Sequence, residues 1–287
     1  MAGTNRYLEG VEPKAAPRNQ ARKTLVLWIV LTVMFLAIYN FLRDPNAPSR
    51  ATTPAATESA DTWPIFARFT PAVLLLGISL LLMRKTRRAA SELTAVDVEI
   101  AEGKLDAAVD RLRGLMKKQP QQAANALFNL AVCAERRGDF VEADELYGLA
   151  RERWAPKGKP GIATGMYISR LDARRAFVLI AAGRVNEGAA LLNELPSLDA
   201  HPDAYAHRVR AEALLLSKRD DRAGVIALLD RERSLVENAL GISERLLLEV
   251  LYNAANGATS LRLHLDPDER RVIALAAPAV STLLEAA

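Results

Sequence analysis

The residues of this chain that could carry out chemistry are few and widely separated. The natural metal ligands and nucleophiles are three histidines and one cysteine: His201, His207, His264 and Cys133. The first two histidines have no cysteine or suitably spaced carboxylate beside them, so no zinc site is predicted. We expect the histidines in loops or on the surface. The cysteine lies among small apolar residues (FNLAVCAERRG) and is expected in a helical core.

The sequence holds no motif of a catalytic or cofactor-binding site. The chain lacks the GxxxxGKS/T phosphate loop, the HExxH zinc pattern, the GxSxG nucleophile pattern and a paired CxxC. The glycine-rich segment GKPGIATG has a different spacing and follows a predicted helix. A group of carboxylates is expected on the solvated face of a helical pair: Asp139, Glu142, Asp144 and Glu145. We therefore predict that the chain is not an enzyme and that it binds no cofactor and no metal ion.

Residues 126–156 have the pattern of two short helices joined by a tight turn. Large and small side chains alternate there at Leu130, Ala131, Gly138, Ala143, Tyr147 and Ala150. Two packed helices approach closely only where a small residue meets its neighbour, and glycine suits the left-handed backbone that often ends a helix. This pattern resembles a tetratricopeptide repeat (TPR). The resemblance implies a stack of helical hairpins.

The same turn recurs elsewhere in the chain. It returns at Gly103, 35 residues upstream, and at Gly183, 45 residues downstream, where a Gly/Pro-rich insertion (WAPKGKPGIATG) lengthens the interval. A fourth unit has KRDD in place of the glycine turn. Its small and large positions are predicted at Ala211, Leu214, Ala223 and Ala227. Capping helices are predicted beyond it.

The resemblance to TPR domains implies a face that binds an extended peptide or a helix of a partner protein. The residues predicted on that face are Asn125, Phe128, Asn129, Val132, Glu135, Arg170 and Arg174. For Phe128, a place in the core between helices is an equal alternative.

Some TPR domains clamp the carboxylate of a partner's C-terminus with Lys, Asn and basic residues of successive repeats. Asn129, Arg170 and Arg174 match the later positions of that clamp. Leu93 and Asp97 stand at its first positions, where the charge of Asp97 would repel a carboxylate. We therefore favour ordinary surface arginines over a carboxylate clamp.

Two apolar segments precede the repeats. Residues 24–42 contain no charged residue over 19 positions, close to the length that spans a hydrocarbon core of about 30 Å. Residues 63–83 include Arg68 and Pro71, with Trp63 suited to an interface. We predict two membrane spans and hence contact with the lipid bilayer. The alternatives are a cleaved signal peptide for the first segment and a buried or interfacial helix for the second.

Basic residues cluster around these segments. Residues 1–88 carry 12 Lys and Arg against 5 Asp and Glu, whereas residues 89–287 carry 26 against 29. The positive-inside bias predicts both termini in the cytoplasm. The sequence pI of about 9.3 therefore reflects these flanks, and nucleic-acid binding is not predicted. Rich use of Ala, Leu and Arg favours a bacterial inner membrane.

The sequence as a whole predicts an all-α protein with two N-terminal transmembrane helices and a TPR-like helical-hairpin solenoid. The predicted order is a basic cytoplasmic tail 1–23, spans 24–42 and 63–83 around an extracytoplasmic flexible loop 43–62, a basic linker 84–91, repeats 92–240 and capping helices 241–287. The predicted function is a membrane-anchored scaffold that recruits a protein partner to the cytoplasmic surface. The alternative is a structural subunit of an envelope or transport complex assembled through its spans.

Overall fold

The computed structural model describes residues 77, 79, 83, 84, 87, 90–155, 162–195, 202–261, 263 and 265–284. Every regular element in these residues is a helix, which confirms the all-α prediction. The chain divides into two units, Met1–Ser91 and Glu92–Ala287. The described positions of the first unit are helical. All elements named below belong to the second unit.

The second unit is a succession of ten helices among its described residues. Helical residues 92–101 are labelled α1. The others are α2 Leu105–Lys118, α3 Ala123–Arg136, α4 Phe140–Trp154, α5 Ile162–Ala181, α6 Val185–Glu194, α7 Pro202–Lys218, α8 Arg222–Ala239, α9 Ile242–Ala255 and α10 Pro267–Ala276. Short 3₁₀ helices, Pro120–Gln122 and Pro278–Leu284, precede α3 and follow α10.

Five helices, α1, α3, α5, α7 and α9, end in the same backbone turn. The residue just past each helix has a positive φ: Gly103, Gly138, Gly183, Asp220 and Gly257. After α3, the N–H of Asp139 donates to the carbonyl of Ala134, and the N–H of Gly138 donates to that of Glu135. The other four turns repeat this pair of bonds, which satisfies carbonyls left open at a helix end. The KRDD segment therefore adopts the glycine turn with Asp220, at φ 56°.

Small residues lie where the paired helices approach each other most closely. An ideal Cβ built on Gly188 of α6 would lie 2.9 Å from the carbonyl oxygen of Ala176 in α5 and 2.5 Å from Cγ1 of Ile180. In the α3–α4 pair, Ala131 and Ala143 have no exposed surface. The backbones approach closely at these points, and any larger side chain would have to push them apart.

Of the four core positions predicted for the fourth unit, two are buried and two are not. Ala211 and Leu214 of α7 are fully buried, whereas Ala223 and Ala227 of α8 are exposed. The buried stripe of α8 consists of Val225, Leu228, Leu229 and Val236. The apolar side chains of valine and leucine gain more from burial than alanine does, and they set the rotation of the helix.

The predicted multi-pass location in a bacterial inner membrane is wrong. Among the described residues, no helix is both long enough and apolar enough to cross a bilayer. The longest, α5, has 20 residues and carries four charges, each costly at the centre of a bilayer: Arg170, Asp172, Arg174 and Arg175.

Several predicted segments lie outside the described residues. These are the basic tail 1–23, the first apolar segment 24–42 and the loop 43–62. The same holds for the second apolar segment, 63–83, apart from Gly77, Ser79 and Met83.

Candidate binding face

Alternate helices of the second unit share one surface, here called the inner face, on which α3, α5, α7 and α9 meet. Each contributes one charged side chain to a buried group that we call the ion cluster: Glu135, Arg174, Arg210 and Glu244. None of the four side chains is more than a tenth exposed. Side chains from four helices, far apart in sequence, therefore meet at one point of the fold.

The ion cluster is closed by short bonds. Arg210 Nη1 donates to Glu135 Oε1 at 2.6 Å, and Arg174 Nη1 lies 2.8 Å from Glu244 Oε1. Arg174 also donates from Nε and Nη2 to the two oxygens of Glu135, each at 3.2 Å. The Tyr147 hydroxyl donates to Glu135 Oε2 at 2.7 Å and accepts from Arg174 Nε at 2.9 Å. The four charges are thus paired inside the protein, while Arg210 Nε is buried without a hydrogen-bond partner among the described residues.

Electrostatics agree with this geometry. Burial alone would raise the pKa of the Glu135 carboxyl, but Arg174 and Arg210 outweigh it and hold that pKa below its ordinary value. The pKa of Glu244 is likewise depressed, since the same arginines outweigh its burial and the N–H of Gly241 donates to it. Both carboxyls are therefore ionised at neutral pH. Two negative and two positive charges balance in the ion cluster.

His207 of α7 lies beside the ion cluster, buried, so the prediction of a loop or surface position is wrong for this histidine. Burial, reinforced by the charge of Arg174, lowers its pKa to about 3. The imidazole is neutral at physiological pH, so its 4.0 Å distance to Glu244 Oε1 is not an ion pair. Its Nδ1 has no hydrogen-bond partner in the described part of the chain.

A second region of the inner face is aromatic and partly open. We call it the aromatic strip: Phe128 of α3, Trp154 at the end of α4, and Tyr167 of α5. The ring of Phe128 lies 5.7 Å from that of Trp154, which lies 5.6 Å from that of Tyr167. Tyr167 is 57% exposed and its neighbour Met166 46% exposed. The guanidinium of Arg170 stands 5.8 Å from the centre of the Phe128 ring.

Four of the seven residues predicted for the binding face lie in or beside these two regions. Phe128 and Arg170 meet in and beside the aromatic strip. Glu135 and Arg174 meet in the ion cluster. Phe128 is half-buried, with one ring neighbour in the interior, Tyr147 at 5.7 Å. It therefore takes part in both the core and the strip.

The other three predicted residues lie elsewhere on α3. The amide of Asn125 donates to Gln122 Oε1 at 2.8 Å. Asn129 is half-buried, and Val132 is buried.

The basic residues of the carboxylate clamp have different surroundings. Arg174 is engaged by Glu135, Tyr147 and Glu244 and is 4% exposed. Arg170 is exposed. Partial loss of solvent raises the pKa of the Asp97 carboxyl, and the positive charge of Arg170 opposes that rise. A partner's carboxylate would meet Arg174 only by breaking the ion cluster.

Sequence reasoning missed the residues that complete both regions. Arg210 and Glu244 supply half of the ion cluster, and Tyr167 and Trp154 supply most of the aromatic strip. One signal was present: Arg210 lies between Val209 and Ala211 and four residues before Leu214, so it falls on an apolar stretch of its helix, where a charge requires a buried partner. Arg210 also lies 3.6 Å above the centre of the Phe177 ring.

The structure also shows the surroundings of Asp144, a carboxylate predicted at the surface, and of Cys133, a thiol predicted in the core. Asp144 is buried, where Arg175 Nε and Arg184 Nη1 each donate to it at 2.6 Å, so its predicted solvated position is wrong. Cys133 is fully buried, and burial raises the pKa of its thiol to about 12. The thiol therefore belongs to the core, and it is not a nucleophile at neutral pH.

A cavity of about 340 Å³ lies beside the ion cluster. All four members of the cluster line it, together with side chains of α10 and of the turn after α1. In the described ranges of the chain, no group of three or more His, Cys, Asp or Glu residues is arranged to hold a metal ion.

Comparison with known proteins gives no relative: no family model, no curated protein and no solved structure matches this chain.

Proposed function

We propose that residues 92–284 form a tetratricopeptide-like helical repeat domain that binds a protein partner through its inner face. The recurring turn supports the repeat assignment, because each of five alternate helices is followed by a residue in the left-handed conformation and by the same pair of backbone hydrogen bonds. The ion cluster supports it as well. Its four charged groups come from alternate helices that share one surface, as expected for a stack of helical hairpins.

The aromatic strip carries the functional part of the proposal. Trp, Tyr and Met side chains are enriched where proteins bind partners, and Tyr and Trp offer large apolar area at modest entropic cost. Two of them are about half exposed: Tyr167, whose ring lies 5.6 Å from the half-buried ring of Trp154, and Met166, its neighbour in sequence. A peptide or a helix can stack on this strip without any rearrangement of the ion cluster.

The proposed role is binding and not catalysis. Glu135 and Arg174 are buried as a pair, and the Cys133 thiol is held neutral in the core. The paired charges stabilise the contact between repeats, and their bonds leave little capacity for proton transfer to a substrate.

Site-specific photo-crosslinking tests the proposal. A photoreactive amino acid would replace Met166 in the full chain expressed in cells, and Val141 in a matched control. Both side chains are exposed and apolar, but Val141 of α4, 64% exposed, lies outside the strip. We expect one discrete protein adduct from position 166 and none of that mass from position 141. Equal adducts from both positions, or none from 166, would contradict binding at the strip.

A further inference from the structure

The cavity beside the ion cluster has walls that are fixed by the fold. Its volume is about 340 Å³. Pockets that hold small molecules in proteins have volumes of about 300 to 1,000 Å³. The inner face forms one wall, and α10 forms another, held in the fold by the buried side chains of Ile273, Ala276 and Ala277. A small ligand would therefore enter a preformed site, which lowers the entropic cost of binding.

One guanidinium on the inner-face wall has bonding capacity left. Arg136, at the end of α3, is half-buried, and its Nη1 donates to the carbonyl oxygen of Ile100 at 3.2 Å. In the part of the chain that the structure describes, no carboxylate is paired with it. The bond to Ile100 orients the guanidinium and leaves further N–H groups for an acceptor. Arg136 can therefore bind a carboxylate without giving up an ion pair.

Arg210 supplies a second donor on the same wall. Its Nη1 bonds to Glu135, but its Nε is buried and has no hydrogen-bond partner among the described residues. A buried donor without an acceptor destabilises the folded state. An oxygen atom of a ligand that reached Nε would remove this cost. The two donors, from α3 and α7, both favour a ligand with a carboxylate.

The charges of the whole lining disfavour a ligand that is only an anion. The lining contains six carboxylates and three guanidinium groups: Glu102, Glu135, Glu244, Asp266, Asp268, Glu269, Arg136, Arg174 and Arg210. The four members of the ion cluster balance one another. The remaining four carboxylates outnumber Arg136, so a purely anionic ligand would be repelled. A ligand that carries a positive group as well suits this lining.

Two carboxylates are placed to attract that positive group. The side chains of Glu102 and Asp268 are 50% and 80% exposed, and they mark the open side of the cavity. Each has one cation nearby, Lys104 at 2.7 Å and Arg271 at 3.2 Å. An ammonium group would share these carboxylates, and solvent would weaken its attraction to them. The carboxylate end of the ligand is therefore the stronger anchor.

We propose that this cavity binds a free apolar α-amino acid in its zwitterionic form. The carboxylate of the ligand bonds to Arg136 and Arg210, and its ammonium group faces Glu102 and Asp268. The apolar side chain packs against the hydrophobic part of the lining, which includes Leu105, Phe177 and Leu247. The inference goes beyond the proposed function, because none of the three rings of the aromatic strip lines the cavity.

Isothermal titration calorimetry on the full-length chain tests the inference. The probes are L-valine, L-leucine and L-phenylalanine, of which at least one should bind with a Kd of about 1 mM or tighter. Two derivatives of the tightest probe separate the charges. The methyl ester lacks the carboxylate charge and should bind at least about tenfold more weakly, since charge-assisted bonds to arginine are lost. The N-acetyl derivative lacks the ammonium charge and should lose about two- to fivefold, as expected for an exposed pair.

Variants of the chain locate the binding site. Arg136→Gln should weaken the tightest probe at least about tenfold, because it removes the charged partner of the carboxylate. The matched control is Arg137→Gln, on the same helix end but outside the lining, and it should leave the affinity unchanged. Far-UV circular dichroism and the urea midpoint check that both variants fold. Should Arg136→Gln fail to fold, the comparison of acid and ester in the parent chain decides.

Three results would overturn the inference. They are no binding of any probe up to about 10 mM, equal affinity of the amino acid and its methyl ester, and unchanged affinity in a folded Arg136→Gln chain. None of these results bears on the aromatic strip, because crosslinking from position 166 requires no amino acid ligand. Failure of the cavity as a site and failure of the proposed function are therefore separate outcomes.

Discussion

The ion cluster and the aromatic strip, the two regions of the inner face, differ in how far their side chains are engaged by partners within the chain. In the ion cluster, Glu135, Arg174, Arg210 and Glu244 have found partners within the chain and are shielded from water. In the aromatic strip, Tyr167 presents more than half of its surface to solvent. The most chemically conspicuous residues of the face therefore hold its helices together, whereas its plainer aromatic residues are available for contact.

The largest expected effect comes from breaking the ion cluster. Glu135→Ala leaves the guanidinium groups of Arg174 and Arg210 buried without their shared carboxylate, which should cost about 3 to 5 kcal/mol of unfolding free energy. Urea denaturation measures the loss. The control is Asp106→Ala, which removes the fully exposed partner of Arg137 and should cost less than about 1 kcal/mol. A loss for Glu135→Ala no larger than for the control would show that the cluster does not stabilise the fold.

Acid should lower the free energy of unfolding through His207, the buried histidine beside the ion cluster. The pKa of His207 is about 3 in the folded chain and about 6.5 when unfolded, so below pH 6.5 the unfolded state takes up the proton first. Stability should fall with pH, by at most about 1.4 kcal/mol per unit, as pH drops from 6.5 toward 3. The depressed pKa of Glu135 adds a loss only below its ordinary value of 4.5.

Denaturation curves at pH 7, 6 and 5, recorded for the parent chain and for His207→Gln, isolate the contribution of this histidine. His207→Gln should flatten the dependence over that range, because glutamine does not titrate. A parent chain equally stable at pH 7 and pH 5 would contradict the buried neutral histidine.

The turns that follow the alternate helices should give a smaller effect. Gly183 has φ 85° and open space around an added Cβ, so Gly183→Ala isolates backbone strain and should cost about 1 kcal/mol. Asp220 already holds the equivalent left-handed position, so Asp220→Gly should change stability by no more than about 0.5 kcal/mol, in the stabilising direction. Thermal melting compares the two. Matching losses in both variants would argue that the five turns are not equivalent.

The smallest effect on stability is expected in the aromatic strip. Tyr167→Ala removes a ring that is 57% exposed and should change the unfolding free energy by less than about 0.5 kcal/mol. The same urea curves as for Glu135→Ala provide the comparison. A loss of several kcal/mol would mean that the strip is part of the core and not a contact surface.

The sequence allowed the hairpins to be predicted because their determinants are local. Gly138 and Gly183 end helices through their own backbone freedom, and small residues such as Ala143 and Gly188 follow within the same hairpin. The turn at Asp220 escaped the pattern because a non-glycine residue with positive φ carries no clear compositional mark. Ala223 was misplaced because the leucines and valines of the same helix compete better for burial.

The site could be predicted only in part because its contacts are not local. Glu135 and Arg174 were placed on one face from the repeat pattern, but their bonds to each other join residues 39 positions apart. Arg210 reaches Glu135 across 75 positions. Spacing within a helix gives no information about which distant charge will neutralise another, so groups fixed in a buried network resembled free ligand-binding groups.

Partner binding through the aromatic strip can be measured as the adduct yield from a photoreactive residue at position 166. The yield would be measured in the parent chain and in the Tyr167→Ala chain, at equal expression and with matching melting curves. If the strip binds the partner, loss of the ring lowers the yield at least about tenfold, the effect of a binding residue worth about 1.4 kcal/mol or more. An unchanged yield in a fully folded Tyr167→Ala chain would contradict it.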